Sequence, residues 1–252
     1  MKKFTFLLFL LLPLLHSCSS DDSATDSTVI LLKKAVSLSN GPSPNVVIDY
    51  HYSGRKMDKI SIGSIEIRYT YESDLITKSE RYSNNQLTSR VLFAYDSNER
   101  LVSEIYHYDL LNNSAEKYEY TYNTDSTVSY NRLEGNLTTQ NTLIQTGKIY
   151  LNSNQEPIQL EIFNQGNLSL KFMYTYGDKK NVFQNVIGFN KQFIRSPDHS
   201  LRNHLSTLTY DGNNNLIDSA TYSSVFNSDD FPIDLTSVLN NNPPSVSQYF
   251  YN

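Results

Sequence analysis

The chain has 252 residues and a formal net charge of −5, with 19 tyrosines, no tryptophan and one cysteine. An acidic chain without a basic stripe is a poor candidate for binding nucleic acid, because neutralisation of phosphates by Lys and Arg dominates that affinity. A single cysteine excludes an internal disulfide, so burial and hydrogen bonding must hold the fold.

The first 17 residues have the pattern of a signal peptide. Lys2 and Lys3 precede the apolar run Phe4–Leu15, which is too short to span a bilayer comfortably. The following Leu-His-Ser-Cys, ending at Cys18, resembles the lipobox of bacterial lipoproteins. That resemblance implies cleavage before Cys18, lipid on its sulfur and on the new N-terminus, and a membrane as the first partner. The alternative is an ordinary secretory signal that happens to contain a cysteine.

Residues 18–29 form the second predicted region, a lipidated cysteine followed by a disordered acidic spacer. Ser19–Thr28 is small, polar and acidic and has nothing to bury. Its Ser-Asp-Asp run, residues 20–22, resembles the signal that exports lipoproteins of Bacteroidetes to the outer face of the outer membrane. The resemblance implies an outer-membrane location and raises the hypothesis of exposure at the cell surface.

From residue 30 to 252 we predict one all-β domain, because apolar and polar residues alternate with a period of two. The alternation is clear in Ile65–Tyr71, Lys117–Tyr122 and Phe172–Tyr176. Each such strand has one tyrosine-lined face and one wet face, as is typical of antiparallel sheets. We expect a meander of about ten to fourteen strands, forming a curled or barrel-like sheet that does not span the membrane.

The turn residues between the predicted strands repeat as well. An aromatic strand is followed by Asp, Asn, Ser or Gly and then by another alternating run, which predicts a hairpin. The tyrosines that close these strands recur at intervals of 24, 27, 28, 26 and 34 residues. They are Tyr71, Tyr95, Tyr122, Tyr150, Tyr176 and Tyr210. A period in this range indicates a repeated supersecondary unit, here the hairpin.

One segment, Asn181–Leu205, breaks the rhythm, and its apolar spacing predicts a short helix or an ordered loop that crosses one end of the sheet. Two hypotheses follow. The segment is a plug, in which Phe183, Ile187 and Phe189 cap the core, or it carries a ligand site. The candidate ligand-binding residues are Arg195, His199, Arg202 and His204. Under both hypotheses we expect removal of the two arginines to leave the melting temperature nearly unchanged.

No catalytic constellation is present in the sequence. It has no G-x-S-x-G motif, no second cysteine and no phosphate-binding glycine loop, so we predict no catalytic residues and no cofactor. His199 and His204 are five apart, which fits no zinc motif, and we predict no metal site. His51 and His107 lie in Tyr-His-Tyr triplets, which places them on wet strand faces.

Four serines follow an aspartate and precede a small residue, a pattern that resembles the O-glycosylation acceptor of Bacteroidetes. They are Ser23, Ser27, Ser126 and Ser219. The first two lie in the spacer, where an extended chain is accessible.

The whole pattern resembles a Bacteroidetes family of outer-membrane lipoproteins of unknown function with tyrosine–aspartate hairpin repeats and a porin-like β fold. The resemblance implies a meandering antiparallel sheet and brings no reaction with it. We therefore expect a lipid-anchored binding or scaffolding module of the cell envelope, with a glycan or an outer-membrane protein as partner. The alternatives are a structural subunit of an outer-membrane assembly and a hydrolase that acts on envelope glycans.

Overall fold

A computed structural model describes residues 29–38, 44–110, 112–192, 194–240 and 242–252, and it also leaves the side chains of Asp109 and His199 undescribed. The predicted signal peptide, Cys18, Ser23 and Ser27 lie outside these residues. Sixteen strands form one closed antiparallel barrel, in which each strand pairs with the next and β16 pairs with β1. The strands are β1 Leu32–Leu38, β2 Val46–Ser53, β3 Lys56–Ile62, β4 Ile65–Glu72, β5 Leu75–Ser83, β6 Gln86–Tyr95, β7 Leu101–Asp109, β8 Ser114–Tyr122, β9 Thr127–Gly135, β10 Gln140–Leu151, β11 Pro157–Asn164, β12 Asn167–Lys180, β13 Arg202–Asp211, β14 Leu216–Phe226, β15 Pro232–Leu239 and β16 Ser245–Tyr251.

The expected all-β meander is confirmed, and the count of ten to fourteen strands is too low. Between Val46 and Glu72 the chain reverses twice through two-residue turns at Gly54 and Gly63. Both glycines have a positive φ, +59° and +57°, which a tight hairpin needs and a side chain disfavours. Such short turns hardly interrupt the alternation, so one apparent run contains several strands. Among the described residues no helix is long and apolar enough to cross a bilayer.

The barrel has an apolar interior and a polar exterior. Tyr69 and Tyr71 of β4 pack against the buried cluster, so Glu66 and Arg68, which alternate with them, point outward. There Glu66 bonds Lys59 of β3 at 2.8 Å and Arg68 at 2.6 Å. Similar outward pairs, such as Lys78 with Glu80, Lys117 with Glu119 and Lys148 with Asp125, occur along the sheet.

Several of the longer hairpins share one turn geometry. In the turn after β6, the Asp96 carboxylate accepts hydrogen bonds from the backbone N–H groups of Asn98 and Arg100, at 2.9 and 3.0 Å. Three residues after Asp96, Glu99 has a left-handed φ of 58°. The same arrangement recurs in three further turns that begin at Asn152, Asp211 and Asn227, with positive φ at Gln155, Asn214 and Asp230. The turn that begins at Asn123 has the same left-handed residue, Ser126, but there Asp125 accepts the backbone N–H of Thr127. Asp and Asn occupy the first position because their side chains satisfy these backbone donors.

Tyrosine hydroxyls connect neighbouring strands at one end of the barrel. Tyr95, the last residue of β6, donates to the carbonyl of Ile76 near the start of β5 at 2.8 Å. The same bond links Tyr122 to Leu101, Tyr176 to Pro157 and Tyr251 to Pro232. Tyr210 does not belong to this series, because β13 runs the other way and ends at the opposite end, which explains the irregular interval of 34 residues.

We call the end at which β12 stops and β13 starts the mouth, and the opposite end the far end. Residues 181–201 connect β12 to β13 and form the mouth segment, which contains two 3₁₀ turns, Phe189–Lys191 and Pro197–His199. The prediction of an ordered loop across one end of the sheet is confirmed. Its C-terminal limit was wrong, because Arg202–Leu205 already belongs to β13.

Candidate functional site

The mouth segment follows the inner rim of the barrel. Asn185 donates from Nδ2 to the carbonyl of Ile30 at 2.9 Å, beside the first strand. The backbone N–H of Ile187 donates to the Arg55 carbonyl in the β2–β3 turn at 3.1 Å. Farther along, the segment reaches Asp74, Glu99, Glu104 and Glu156, which lie in or beside the β4–β5, β6–β7 and β10–β11 turns. The segment therefore ties together elements that are distant in sequence, and it covers the barrel opening.

The first half of the mouth segment is apolar and packs on the barrel core. Phe183 and Phe189 have ring centroids 4.3 Å apart, and Phe183 also meets Tyr50 of β2 at 5.6 Å. Val186 and Phe189 are buried within the main cluster. Ile187 is only half-buried and contributes mainly through its backbone. This packing is the arrangement that the plug hypothesis requires.

The second half places one cation inside the barrel. Arg195 contacts Glu104 of β7 through Nη2 and Oε2 at 3.1 Å and donates from Nε to the hydroxyl of Tyr120 at 2.7 Å. Its guanidinium lies over the ring of Tyr118, 3.6 Å from the centroid. The Glu104 side chain is fully buried, and Tyr106 donates to it at 2.6 Å. The contacts secure the mouth segment to β7 and β8.

Burial keeps the surrounding tyrosines neutral. Burial, with a smaller contribution from Glu104, raises the pKa of Tyr120 well above its usual value. It likewise raises the pKa of Tyr130 to about 12, against the opposing effect of Arg195. Since these phenols stay protonated, Arg195 is the cation that balances the Glu104 carboxylate. The cluster is an internal ion pair in a tyrosine shell.

A second ion pair closes the other side of the mouth. Arg202, the first residue of β13, donates from Nε to the Glu156 carboxylate at 2.9 Å, and Ser200 and Asn152 also donate to that carboxylate. Burial by itself would raise the pKa of Glu156, but these hydrogen bonds outweigh it and hold the pKa below the usual value. This geometry argues against the expectation that removal of both arginines leaves the melting temperature unchanged, because each is the counter-ion of a buried carboxylate.

The histidines are dispersed. His204 lies on β13 against Tyr222, with ring centroids 4.5 Å apart, and burial lowers its pKa. His199 is in the second 3₁₀ turn, and its side chain is outside the described atoms. His51 is exposed, as predicted, whereas His107 is 4% exposed and accepts a hydrogen bond from Arg90 at 2.9 Å. The prediction that His107 is solvated was wrong, because its side chain is covered although it alternates with the inward-facing Tyr106 and pairs with Arg90 of β6. In the described part of the chain no three His, Cys, Asp or Glu side chains cluster as a metal site.

A cleft of about 280 Å³ lies where the mouth segment meets the β6–β7 and β10–β11 hairpins. Its apolar wall includes Leu101, Tyr122 and Ile194, and Gln192 lines it from the mouth segment. Gln192 is completely buried, and neither its amide nitrogen nor its amide oxygen has a hydrogen-bond partner among the described residues. The sequence gives no signal for this glutamine, because its role depends only on tertiary placement.

The described candidate glycosylation sites differ in access. Ser126 lies at an exposed turn tip with a φ of 63°. Ser219 is half-buried within β14, and its backbone N–H donates to the Asn240 side chain at 2.8 Å. Ser126 is thus the more accessible of the two.

The fold matches solved structures of porin-like proteins. One from Bacteroides vulgatus gives a TM-score of 0.52 at 13% identity, covering 89% of this chain and 99% of that one. One from Bacteroides uniformis gives a TM-score of 0.51 at 9% identity, covering 88% and 96%. No family model and no curated protein matches the chain. At this identity the likeness shows the barrel fold.

Proposed function

We propose that the protein is a non-catalytic binding or scaffolding module of the cell envelope, held at the outer membrane by lipid on Cys18, with its barrel in water. The charged outer face carries this proposal. A membrane barrel presents an apolar band to lipid, and a Lys or Arg at the bilayer midplane costs about 2–4 kcal/mol. Here Lys59, Arg68, Lys117 and Lys148 lie on the outside among carboxylates.

The closed mouth supports binding over conduction. Porins keep a polar, water-filled interior. In this barrel the interior is lined by tyrosines, and Phe183, Phe189 and Arg195 of the mouth segment occupy one opening. A scaffold that offers loops and a cleft on a rigid barrel fits this geometry better than a channel.

A matched pair of proteins tests the anchoring. Wild type and Cys18→Ala are expressed in full length, labelled with a palmitate analogue, and their membranes are washed with alkaline carbonate. We expect label and membrane retention for wild type, and neither for Cys18→Ala. Retention of unlabelled Cys18→Ala in washed membranes would mean that the barrel itself contacts lipid.

A second candidate function is a structural subunit of an outer-membrane assembly. Exposed apolar side chains concentrate at the far end, where Val46, Val47, Tyr108, Leu143, Leu216, Ile217 and Leu239 lie. Exposed apolar patches mark interaction sites. If this function holds, a tagged protein purified from its own membranes brings an outer-membrane subunit with it, and Leu216→Asp with Ile217→Asp loses that subunit while lipid labelling continues.

A further inference from the structure

The cleft between the mouth segment and the β6–β7 and β10–β11 hairpins, which we call the mouth cleft, contains charged residues that are paired with one another or with neighbouring residues. Four charged residues, Glu99, Arg100, Glu156 and Lys191, line it, and each has a partner within the chain. Arg100 is 2.7 Å from Asp96, and Glu99 is 3.5 Å from Lys191. Glu156 is held by Arg202. Because no charge in the cleft is left to be neutralised, an ionic ligand would gain little here and would have to displace an existing partner.

Gln192 is the side chain of the cleft whose hydrogen-bonding groups need a partner. A buried carboxamide offers two N–H donors and one carbonyl acceptor, and buried polar groups in folded proteins are nearly always paired. Among the described residues Gln192 has no partner for either its nitrogen or its oxygen. The missing partner must therefore both accept and donate, while remaining uncharged.

The other residues that line the cleft restrict which molecules can be that partner. Leu101, Tyr122, Leu151 and Ile194 supply apolar surface, and Ser196 adds a hydroxyl on the rim. A sugar ring combines an apolar C–H face with hydroxyls that donate and accept. An extended peptide would need a free sheet edge or a long groove, and the sixteen described strands form a closed barrel with every strand paired on both sides.

From these contacts we infer that the mouth cleft binds one ring of a neutral carbohydrate, and that the mouth segment shifts on binding so that the enclosed Gln192 amide hydrogen-bonds ring hydroxyls. The inference rests on the proposed binding function and names its ligand class. Gln192 is the specificity-determining residue, and Tyr122 and Ile194 form the apolar wall.

The probes are the methyl glycosides of glucose, galactose, mannose and N-acetylglucosamine. Glucuronic acid serves as the charged counterpart and N-acetyl-trialanine amide as the peptide counterpart. Binding to the full-length protein in mild detergent is followed by saturation-transfer NMR and titration. The variant is Gln192→Met, which keeps the side-chain length and removes both polar groups. Its matched control is Gln86→Met, an exposed change at the far end of β6.

We expect at least one neutral glycoside to bind wild type and Gln86→Met equally, and Gln192→Met to bind it at least about tenfold more weakly, the equivalent of one hydrogen bond. Circular dichroism and a melting temperature not below that of wild type must show that Gln192→Met is folded. Absence of glycoside binding, equal binding by Gln192→Met, or binding of the peptide or glucuronic acid alone would overturn the inference and leave Gln192 paired with ordered water.

The two proposals fail separately. Retention of an envelope partner by the tagged protein, without any glycoside binding, would remove the carbohydrate inference and keep the binding module. Glycoside binding by a protein that is not labelled with palmitate would keep the cleft and remove the anchor.

Discussion

Replacing Arg195 by Met should be among the most destabilising single changes at the mouth. The substitution leaves the Glu104 carboxylate at 0% side-chain exposure without its counter-ion. Removing one partner of a buried ion pair costs about 3–5 kcal/mol, because the remaining charge stays desolvated. For a domain of this size each kcal/mol lowers the melting temperature by about 2–4 °C, so the expected decrease is roughly 6–20 °C.

Replacing the other partner of the ion pair, Glu104, should lower the free energy of unfolding by less. In Glu104→Gln the guanidinium of Arg195, with 21% of its side chain exposed, keeps the hydrogen bond to Tyr120 and the face of Tyr118. We expect a loss of about 1.5–3 kcal/mol, the value of one hydrogen bond to a charged group. The double variant Arg195→Met with Glu104→Leu removes both charges and should recover most of the loss, since apolar replacements of buried pairs are often neutral.

Urea unfolding of the full-length protein, followed by circular dichroism, measures all three variants against Arg81→Met, a change at an exposed arginine of β5. The control should stay within about 0.5 kcal/mol of wild type. If Arg195→Met unfolds at the same urea concentration as Arg81→Met, or if the double variant is no more stable than Arg195→Met, the ion pair does not hold the mouth segment.

Three further predictions concern the same end of the barrel. Phe189→Ala should lower the free energy of unfolding by about 3 kcal/mol or more, because Phe189 is buried. The control Phe250→Ala, at a position 47% exposed, should change it little. Equal urea midpoints for the two variants would refute the plug. Gly188→Ala should cost about 1–3 kcal/mol more than Gly54→Ala, because both glycines have a positive φ but only at Gly188 would a Cβ lie 2.5 Å from the Asp74 carbonyl oxygen. Equal losses in urea would contradict this. The Glu156 pKa is lower in the folded state than its ordinary 4.5, so its contribution is present above pH 4.5 and is lost as the pH falls through the folded pKa. Melting curves of Glu156→Gln between neutral and acidic pH should show a smaller loss than wild type, and identical slopes would exclude this role.

The sequence predicted what is local and missed what depends on distant contacts. The alternation in Ile65–Tyr71 is a property of a single strand, and it correctly predicted a tyrosine face and a wet face. Closure of the barrel depends on β1 meeting β16, for example Ala35 opposite Tyr249, and no short pattern records that pairing. The strand count failed at two-residue turns because they barely disturb the period.

At the candidate site, too, the sequence predicted local features and missed contacts between distant residues. The unusual composition of the mouth segment identified it as a separate structure, and its apolar spacing indicated the plug. Arg195 was a candidate ligand residue under one of the two hypotheses, and its partner Glu104 was not foreseen, because it is 91 residues earlier in the chain and only the fold brings them together. Gln192 was missed because a lone glutamine carries no pattern, and its interest comes only from a buried amide that has no hydrogen-bond partner among the described residues.

The position of the first barrel strand implies an orientation for the proposed module. Ile30 and Leu31 lie at the mouth, where Asn185 and Asn252 bond their backbones. An anchor on Cys18 would thus join the barrel at its plugged end, and the eleven residues that follow Cys18 as far as Val29 span at most about 40 Å when fully extended. The apolar residues of the far end, such as Leu216 and Leu239, would then point away from the membrane, where they could meet a partner. The cleft beside Gln192 would face the space between barrel and membrane, so a carbohydrate that reaches it must enter from the side of the barrel rather than through its interior.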